Sequence, residues 1–404
     1  MPLDPVLEIL TRDGKPLSRA VLRSVGLTYS TFRDHDANGS GIRIEKWNDL
    51  ATNDYLYTGT QLLRIRALPK NPDDDCQFWS EGGRRRGYFN TTPHHVAQGS
   101  PMYKVEIHAP GVDLPVNGQP VFTLPWRNDD GGSSFGKDSY LLFDPPEDGE
   151  YQVRVSDAQG RYGAEYAYRL TLRAPNPGFT VDFTPKAPAV WKEGAVPVTI
   201  TAKRRDGYEG PIEVQFLSLP IGLQAPRTTI PEGEENTTVA ISADKDAIVS
   251  KDNPPLKLIA HARYQGKELA SEMHGQKPSI VERGVIQPIV IETELLLQPG
   301  KVTRVTVMVE RRNNFQGRIP LDVRGLPHGV RVLDIGLNGI LVTEKETMRS
   351  FNLYCEAWVQ PQDHPIVITA KHEAKNTDHA AATVMLRIVP PKKTSGQNSR
   401  GDQN

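Results

Sequence analysis

Cysteine is almost missing from this sequence. Its 404 residues include two, Cys76 and Cys355, far apart along the chain. They read as free thiols in different domains, so no disulfide framework holds the fold. That leans toward a reducing compartment, although large β domains outside the cell often manage without disulfides. Long apolar runs are also missing. None approaches the roughly 18 residues that a membrane helix needs. Neither sign of charge dominates: 48 basic against 49 acidic residues leave a net charge of −1. Nothing global therefore draws the chain to nucleic acid or to an acidic membrane surface. The start, Met1-Pro2-Leu3-Asp4-Pro5, has no basic segment followed by an apolar one, so it does not read as a signal peptide. A strand-like run, Val6–Leu10, begins at once and a turn at Arg12–Lys15 follows. The chain reads as starting inside a domain, with the first strands and any export signal lying outside it.

Glycine and proline are plentiful, at 34 and 33 residues. Proline spread at that density suits many short strands joined by turns better than long helices. The length suggests two to four domains, at roughly 150 residues each.

An internal repeat is the most informative pattern. RRDGYEGPIEVQFLSLPIGL (204–223) aligns without a gap with RRNNFQGRIPLDVRGLPHGV (311–330), at an offset of 107 residues. The pairs include Arg204/Arg311, Tyr208/Phe315, Gly210/Gly317, Ile212/Ile319, Val214/Leu321, Pro220/Pro327 and Gly222/Gly329. An offset of this length is the size of one immunoglobulin-like sandwich. Ile212, Val214 and Phe216 alternate with polar residues, as do Ile319, Leu321 and Val323, and Leu-Pro-x-Gly then closes the strand with a turn. Boundaries fall near Pro175–Pro177 and near residue 284. Residues 391–404 have the composition of a disordered tail. The first 175 residues also carry strand patterns, at 60–67, 102–108, 120–125, 139–143, 150–155 and 165–173.

Within that first part, DSYLLFDPPEDGEYQVRVSDAQGRYGAEYAYRLTLRAPNPGF (138–179) resembles the pre-peptidase C-terminal domain, in the variant found in large planctomycete proteins. Asp144–Tyr151, Val155–Asp157 and Tyr168–Thr171 carry the resemblance, with Leu3–Ile9 and Arg127–Gly132 upstream. It departs from the ordinary pattern by an insertion at about 27–100 and by lacking the opening strands. The two repeats resemble the immunoglobulin-like modules that follow such domains. The resemblance implies an all-β chain of three sandwiches: a jelly-roll-like domain over 1–175 and immunoglobulin-like domains over 178–283 and 284–390. It implies accessory modules without catalytic residues, working outside the cytoplasm. Partners would be a polysaccharide or an envelope protein, not nucleic acid, and the chain would be a monomer. The alternative is a carbohydrate-binding region attached to a secreted protease or other hydrolase.

Several motifs invite chemistry. Asp34-His35-Asp36-Ala37-Asn38-Gly39-Ser40-Gly41-Ile42-Arg43-Ile44-Glu45 fits the twelve-residue calcium loop D-x-[DN]-x-[DN]-G-x5-E. Asp34, Asp36 and Asn38 would give side-chain oxygens, Ser40 its carbonyl and Glu45 a bidentate carboxylate. Gly41 stands where such a hand has an apolar residue, and Thr28–Phe32 is poor helix sequence. Asn128, Asp129 and Asp130 form a second group of hard-cation ligands, near Asp138. Asp73–Asp75 forms a third. Each also reads as a turn whose side chains bond their own backbone. Gly132–Gly136 matches G-x-S-x-G, but without the buried strand and helix of a nucleophile elbow. His94-His95 has no partner at metal-ligand spacing. Arg84–Arg86 reads as a solvated loop, and Arg400-Gly401-Asp402 as chance. Of the five tryptophans, Trp79 and Trp126 are expected to be the more exposed.

Overall fold

The computed structural model describes residues 4–31, 39–69, 72–333, 339–381 and 383–390. The chain is nearly all β. Among the described residues the helical pieces are single turns at Tyr88–Asn90, Gly132–Phe135 and Glu373–Lys375. No helix among them is long and apolar enough to cross a membrane. The chain divides into two compact units, 1–175 and 176–404.

In the first unit, seven strands form one sheet, in the order Val121–Pro125, Ser18–Tyr29, Pro101–His108, Tyr55–Tyr57, Leu62–Ala67, Cys76–Phe78 and Gly41–Ile42. Four of the seven come from the stretch read as an insertion. That stretch builds a core, with Ile42, Leu56, Leu63, Ile65, Phe78 and Met102 buried together. A smaller sheet pairs Pro5–Leu10 between Arg127–Asn128 and Gln152–Asp157. Residues 139–143 and 165–173 join no sheet, although their alternation predicts strands.

The second unit holds the two repeats, and they share one strand order. In the first repeat, Gly178–Thr184, Gly194–Arg205, Asn236–Ala243 and Leu223–Gln224 pair in that sequence. In the second, Ile286–Val290, Val302–Arg311, Met348–Cys355 and Val330–Leu333 do the same. The opposing sheets are Thr228–Ile230, Ile212–Leu217, Lys257–Tyr264 and Lys267–His274 in one repeat. Their counterparts are Ile340–Val342, Ile319–Arg324, Gln362–His372 and Thr377–Ala380. Each repeat adds one parallel pair, Ala189–Trp191 with Ser279–Val281 and Glu294–Leu297 with Val384–Ile388. Two sheets of this kind, packed face to face, make an immunoglobulin-like sandwich. The aligned pairs occupy equal places: Ile212 lies opposite Ile230 and Ile319 opposite Val342, and all four are fully buried.

The repeats do not hang separately. Ala195 pairs with Ala380, which joins a sheet of the first repeat to the opposing sheet of the second and gives ten strands in one sheet. The residues at the junction are small because two backbones approach there: Ala195, Ala240, Val367 and Ala380 form a buried cluster of their own. Thr383 Oγ1 accepts the Ala240 N–H at 3.2 Å. Trp191 stacks on His379 with ring centroids 4.9 Å apart and 26° between planes. The Glu193 carbonyl and carboxylate receive Gln287 and Arg283.

Candidate functional site

The repeat motif itself is a clasp. Arg204 sends its guanidinium to the carbonyl oxygens of Gly210, Pro231 and Glu234, while Arg311 reaches Gly317, Thr343 and Glu346. Each guanidinium lies over the aromatic ring of its motif, 5.6 Å from the Tyr208 centroid and 5.8 Å from that of Phe315. Each glycine makes room for that ring. A Cβ on Gly210 would stand 2.9 Å from the Tyr208 hydroxyl, and one on Gly317 would stand 2.7 Å from Phe315 Cζ. Charged donors on backbone carbonyls are among the stronger hydrogen bonds. The matched residues thus tie one sheet's connecting loop to the other strand, and their recurrence marks a structural need.

The acidic candidates separate. Asp34, Asp36 and Asn38 lie outside the described residues. Ser40 lies at the edge of a short strand: its carbonyl accepts the Phe78 N–H at 3.0 Å and its hydroxyl donates to Gln77 Oε1 at 3.1 Å. Glu45 is exposed, and its N–H donates to the Tyr29 carbonyl at 2.8 Å. The segment is therefore entered from the strand Ser18–Tyr29 and left through the strand Gly41–Ile42. In a helical hand both flanks would be helices.

Asn128 is buried and its amide is engaged. Nδ2 donates to the Tyr140 carbonyl at 2.6 Å, while Oδ1 accepts from Thr92 Oγ1 at 3.0 Å and from the Asp130 N–H at 3.1 Å. The Asp129 carboxylate is bonded by Thr92 Oγ1 as well. Burial, then the nearby Asp129 and Asp4, push the Asp130 carboxyl above its ordinary value. Asp73 and Asp75 face Arg43, at 3.9 and 3.4 Å. Among the described residues no three His, Cys, Asp or Glu side chains are grouped to hold a metal ion.

Asp157 escaped the sequence reading. Its buried carboxylate accepts the N–H groups of Asp4, Gln159 and Arg161 at 2.8, 3.1 and 3.0 Å, and Arg161 Nε at 3.1 Å. The backbone donors of Asp4 and Arg161 lead in holding it down, to about 2. The signal was the Asp157-Ala158-Gln159-Gly160 turn, in which an Asp bonds its own following backbone.

The other motifs resolve locally. Gly132–Phe135 is one helical turn that follows the strand Arg127–Asn128 of an antiparallel sheet, so the strand-to-helix elbow of a hydrolase is not built there. His94 and His95 are exposed. Arg85 donates to the Gly41 and His94 carbonyls, each at 3.2 Å. The expectation for tryptophan is corrected. Trp79 and Trp126 are 7% and 8% exposed, because arginines cover them: Arg64 and Arg66 over Trp79, and Arg19 at 4.2 Å over Trp126. Trp358 is the exposed one, at 40%. Cys76 and Cys355 are both free and buried, with burial raising their thiols to about 12 and about 11. Arg400–Asp402 lies outside the described residues.

No protein-family model matches the chain, and no curated protein does. Solved structures do. Domains 4 and 5 of the S-layer protein SbsC are 12% identical over 52% of this chain and 97% of theirs, with a TM-score of 0.19. The fibronectin(III)-like modules of Clostridium thermocellum CbhA are 11% identical over 54% of this chain and 99% of theirs, also at 0.19. Escherichia coli alpha-2-macroglobulin activated by porcine elastase is 10% identical over 96% of this chain and 32% of its own, at 0.22. Scores of this size carry no weight for function, and the architecture rests on the strand pairings themselves.

Proposed function

We propose that this chain is a non-catalytic module array that acts outside the cytoplasm as a stiff spacer with binding surfaces. The observation that carries the reading is the Ala195–Ala380 junction, which joins the two repeats into one ten-stranded sheet. A linker between beads leaves them free to reorient, whereas a shared sheet with a buried alanine seam fixes distance and direction. The resemblance of 1–175 to the pre-peptidase C-terminal domain supports an extracytoplasmic, accessory role, with a polysaccharide or an envelope protein as partner. The way Arg204, Arg311, Asn128 and Asp157 are engaged in holding their own loops supports it too.

Spin labels on cysteines introduced at the exposed Lys251 and Lys345, one in each repeat, test the spacer. The native thiols are buried. Pulsed dipolar spectroscopy should give a single narrow distance distribution. A broad or multimodal one would show independently moving beads and defeat the reading.

Calcium at Asp34–Glu45 belongs to the same proposal and rests on the donor pattern of the sequence. A cation bound only to the folded state adds about 2.7 kcal/mol at a hundredfold excess over Kd. Melting should therefore occur higher in millimolar Ca²⁺ than in chelator, and Asp36→Ala should remove the difference. Identical curves for the unaltered chain would discard the site.

A further inference from the structure

We infer that Trp358 and the two turns that hold it, Pro327–Gly329 and Glu356–Val359, form a saccharide-binding platform for neutral β-1,4-linked hexopyranose chains. The inference rests on the binding half of the function proposed above and does not need the spacing half.

The first observation is an aromatic surface that is open and yet fixed. Trp358 is 40% exposed, while Trp79 and Trp126 are buried and Trp47 and Trp191 half-buried. Its position is determined on several sides. The Val359 N–H closes the turn onto the Glu356 carbonyl at 3.2 Å, and the Glu356 N–H bonds the Gly329 carbonyl at 2.8 Å. Gln360 Nε2 donates to the Trp358 carbonyl at 3.3 Å. Val359 is buried beneath, against the main core of the repeat. The benzo edge of the indole lies over Gly329, where a Cβ would stand 2.8 Å from Cη2 and φ is +84°. The His328 ring lies 4.8 Å away at 57°. Ordering a large side chain costs conformational entropy, so a tryptophan fixed before its ligand arrives loses less on binding.

The second observation comes from the sister repeat. Its matching turn places Ile221 where His328 stands, and Gly222 against the small Ala247. That turn closes in the same way, with Leu223 N–H to the Pro220 carbonyl at 3.0 Å, as Val330 N–H bonds Pro327 at 3.0 Å. The sandwich therefore builds this corner without an indole. Trp358 is an addition to the corner and not a requirement of it.

The third observation is the rim. Glu356 and Arg331 pair at 3.4 Å on the same corner, and the Arg331 guanidinium lies over Tyr354 at 5.1 Å. The rim thus offers hydrogen-bond donors and acceptors with no net charge. A flat apolar face beside such a rim matches a pyranose whose hydroxyls are all equatorial. Its axial C–H groups cover the indole while its hydroxyls reach the carboxylate and the guanidinium. Tryptophan suits the task because one surface is apolar and the N–H remains available. The neutral pair gives no preference for acidic glycans.

The test uses the full chain in native electrophoresis through gels with and without hydroxyethylcellulose. It is joined to fluorescence titrations with cellohexaose and chitohexaose up to about 10 mM, tenfold above a Kd of roughly 1 mM. The expected result is retardation in the polysaccharide gel and a saturable shift of tryptophan emission with at least one oligosaccharide. W358A should abolish both with an unchanged melting temperature, W358Y should retain part of the binding, and E356Q should weaken it several-fold. Unretarded migration together with flat titrations would overturn the inference. So would W358A binding as the unaltered chain does, or E356Q and R331Q leaving affinity unchanged should W358A fold poorly. The distance distribution between the repeats is measured separately, so the platform and the spacer can fail independently.

Discussion

Tyr208 and Phe315 occupy the same place in their repeats, between a clasping arginine and a glycine, but not at the same depth. Tyr208 is 1% exposed and its hydroxyl donates to the Pro211 carbonyl at 2.7 Å. Phe315 is half-buried, against His372 at 4.7 Å. Tyr208→Ala should therefore cost roughly 3–5 kcal/mol, and Phe315→Ala about half of that, read from denaturant melts. Equal losses would mean that the two clasps bear equal weight. Acid should act on the two units in different windows. Burial pushes His364 and His379 down to about 4 from an ordinary 6.5. The unfolded chain takes up those protons first, so the repeats should lose stability as pH falls from about 6.5 to 4. Nδ1 of His379 has no hydrogen-bond partner among the described residues, and His379→Phe should flatten that slope. Asp157 runs the other way, with a folded value depressed to about 2 from 3.8. Its contribution is present above 3.8 and is lost as pH falls from there through 2. Melting curves at pH 7, 5 and 3 distinguish the two windows. The clasp was legible as a repeat but not as a clasp, because its acceptors, such as Pro231 and Thr343, come from loops that share no sequence between the repeats.

At the scale of the element, alternation found strands wherever an edge waited for them. It placed Pro101–His108, Val121–Pro125 and Ile319–Arg324 within a residue or two. It failed at Tyr166–Leu172, where Tyr168 and Leu170 are exposed and Leu172 is 74% exposed. Period-2 patterning states which face would be buried, not whether a neighbour exists to hydrogen-bond the backbone, and a lone strand is not stable in water. Leu172→Ser should accordingly change stability by less than about 0.5 kcal/mol. Trypsin should cut first at Arg161, Arg169 or Arg173, where no strand ladder protects the backbone. A core-sized loss on Leu172→Ser, with no cutting there, would show that this segment is a paired strand in solution. The exposure of the tryptophans could not be read from their neighbours in sequence. Trp79 and Trp126 sit beside polar loops, yet the arginines that cover them, Arg64, Arg66 and Arg19, arrive from other strands.

For the whole molecule, the offset of 107 residues gave two sandwiches but no hint of how they join. The seam consists of single alanines and one stacked Trp191–His379 pair, none of which forms a motif. If the junction makes one body, strands on both sides of it should open together. Their local unfolding would share one free energy and one dependence on denaturant, as members of a single cooperative unit do. Hydrogen exchange by mass spectrometry, run across increasing sub-denaturing urea, reads this directly. Peptides covering Gly194–Arg205 in the first repeat and Gln362–His372 in the second should converge on one opening isotherm. Two parallel, non-converging isotherms, one for each repeat, would contradict a shared body.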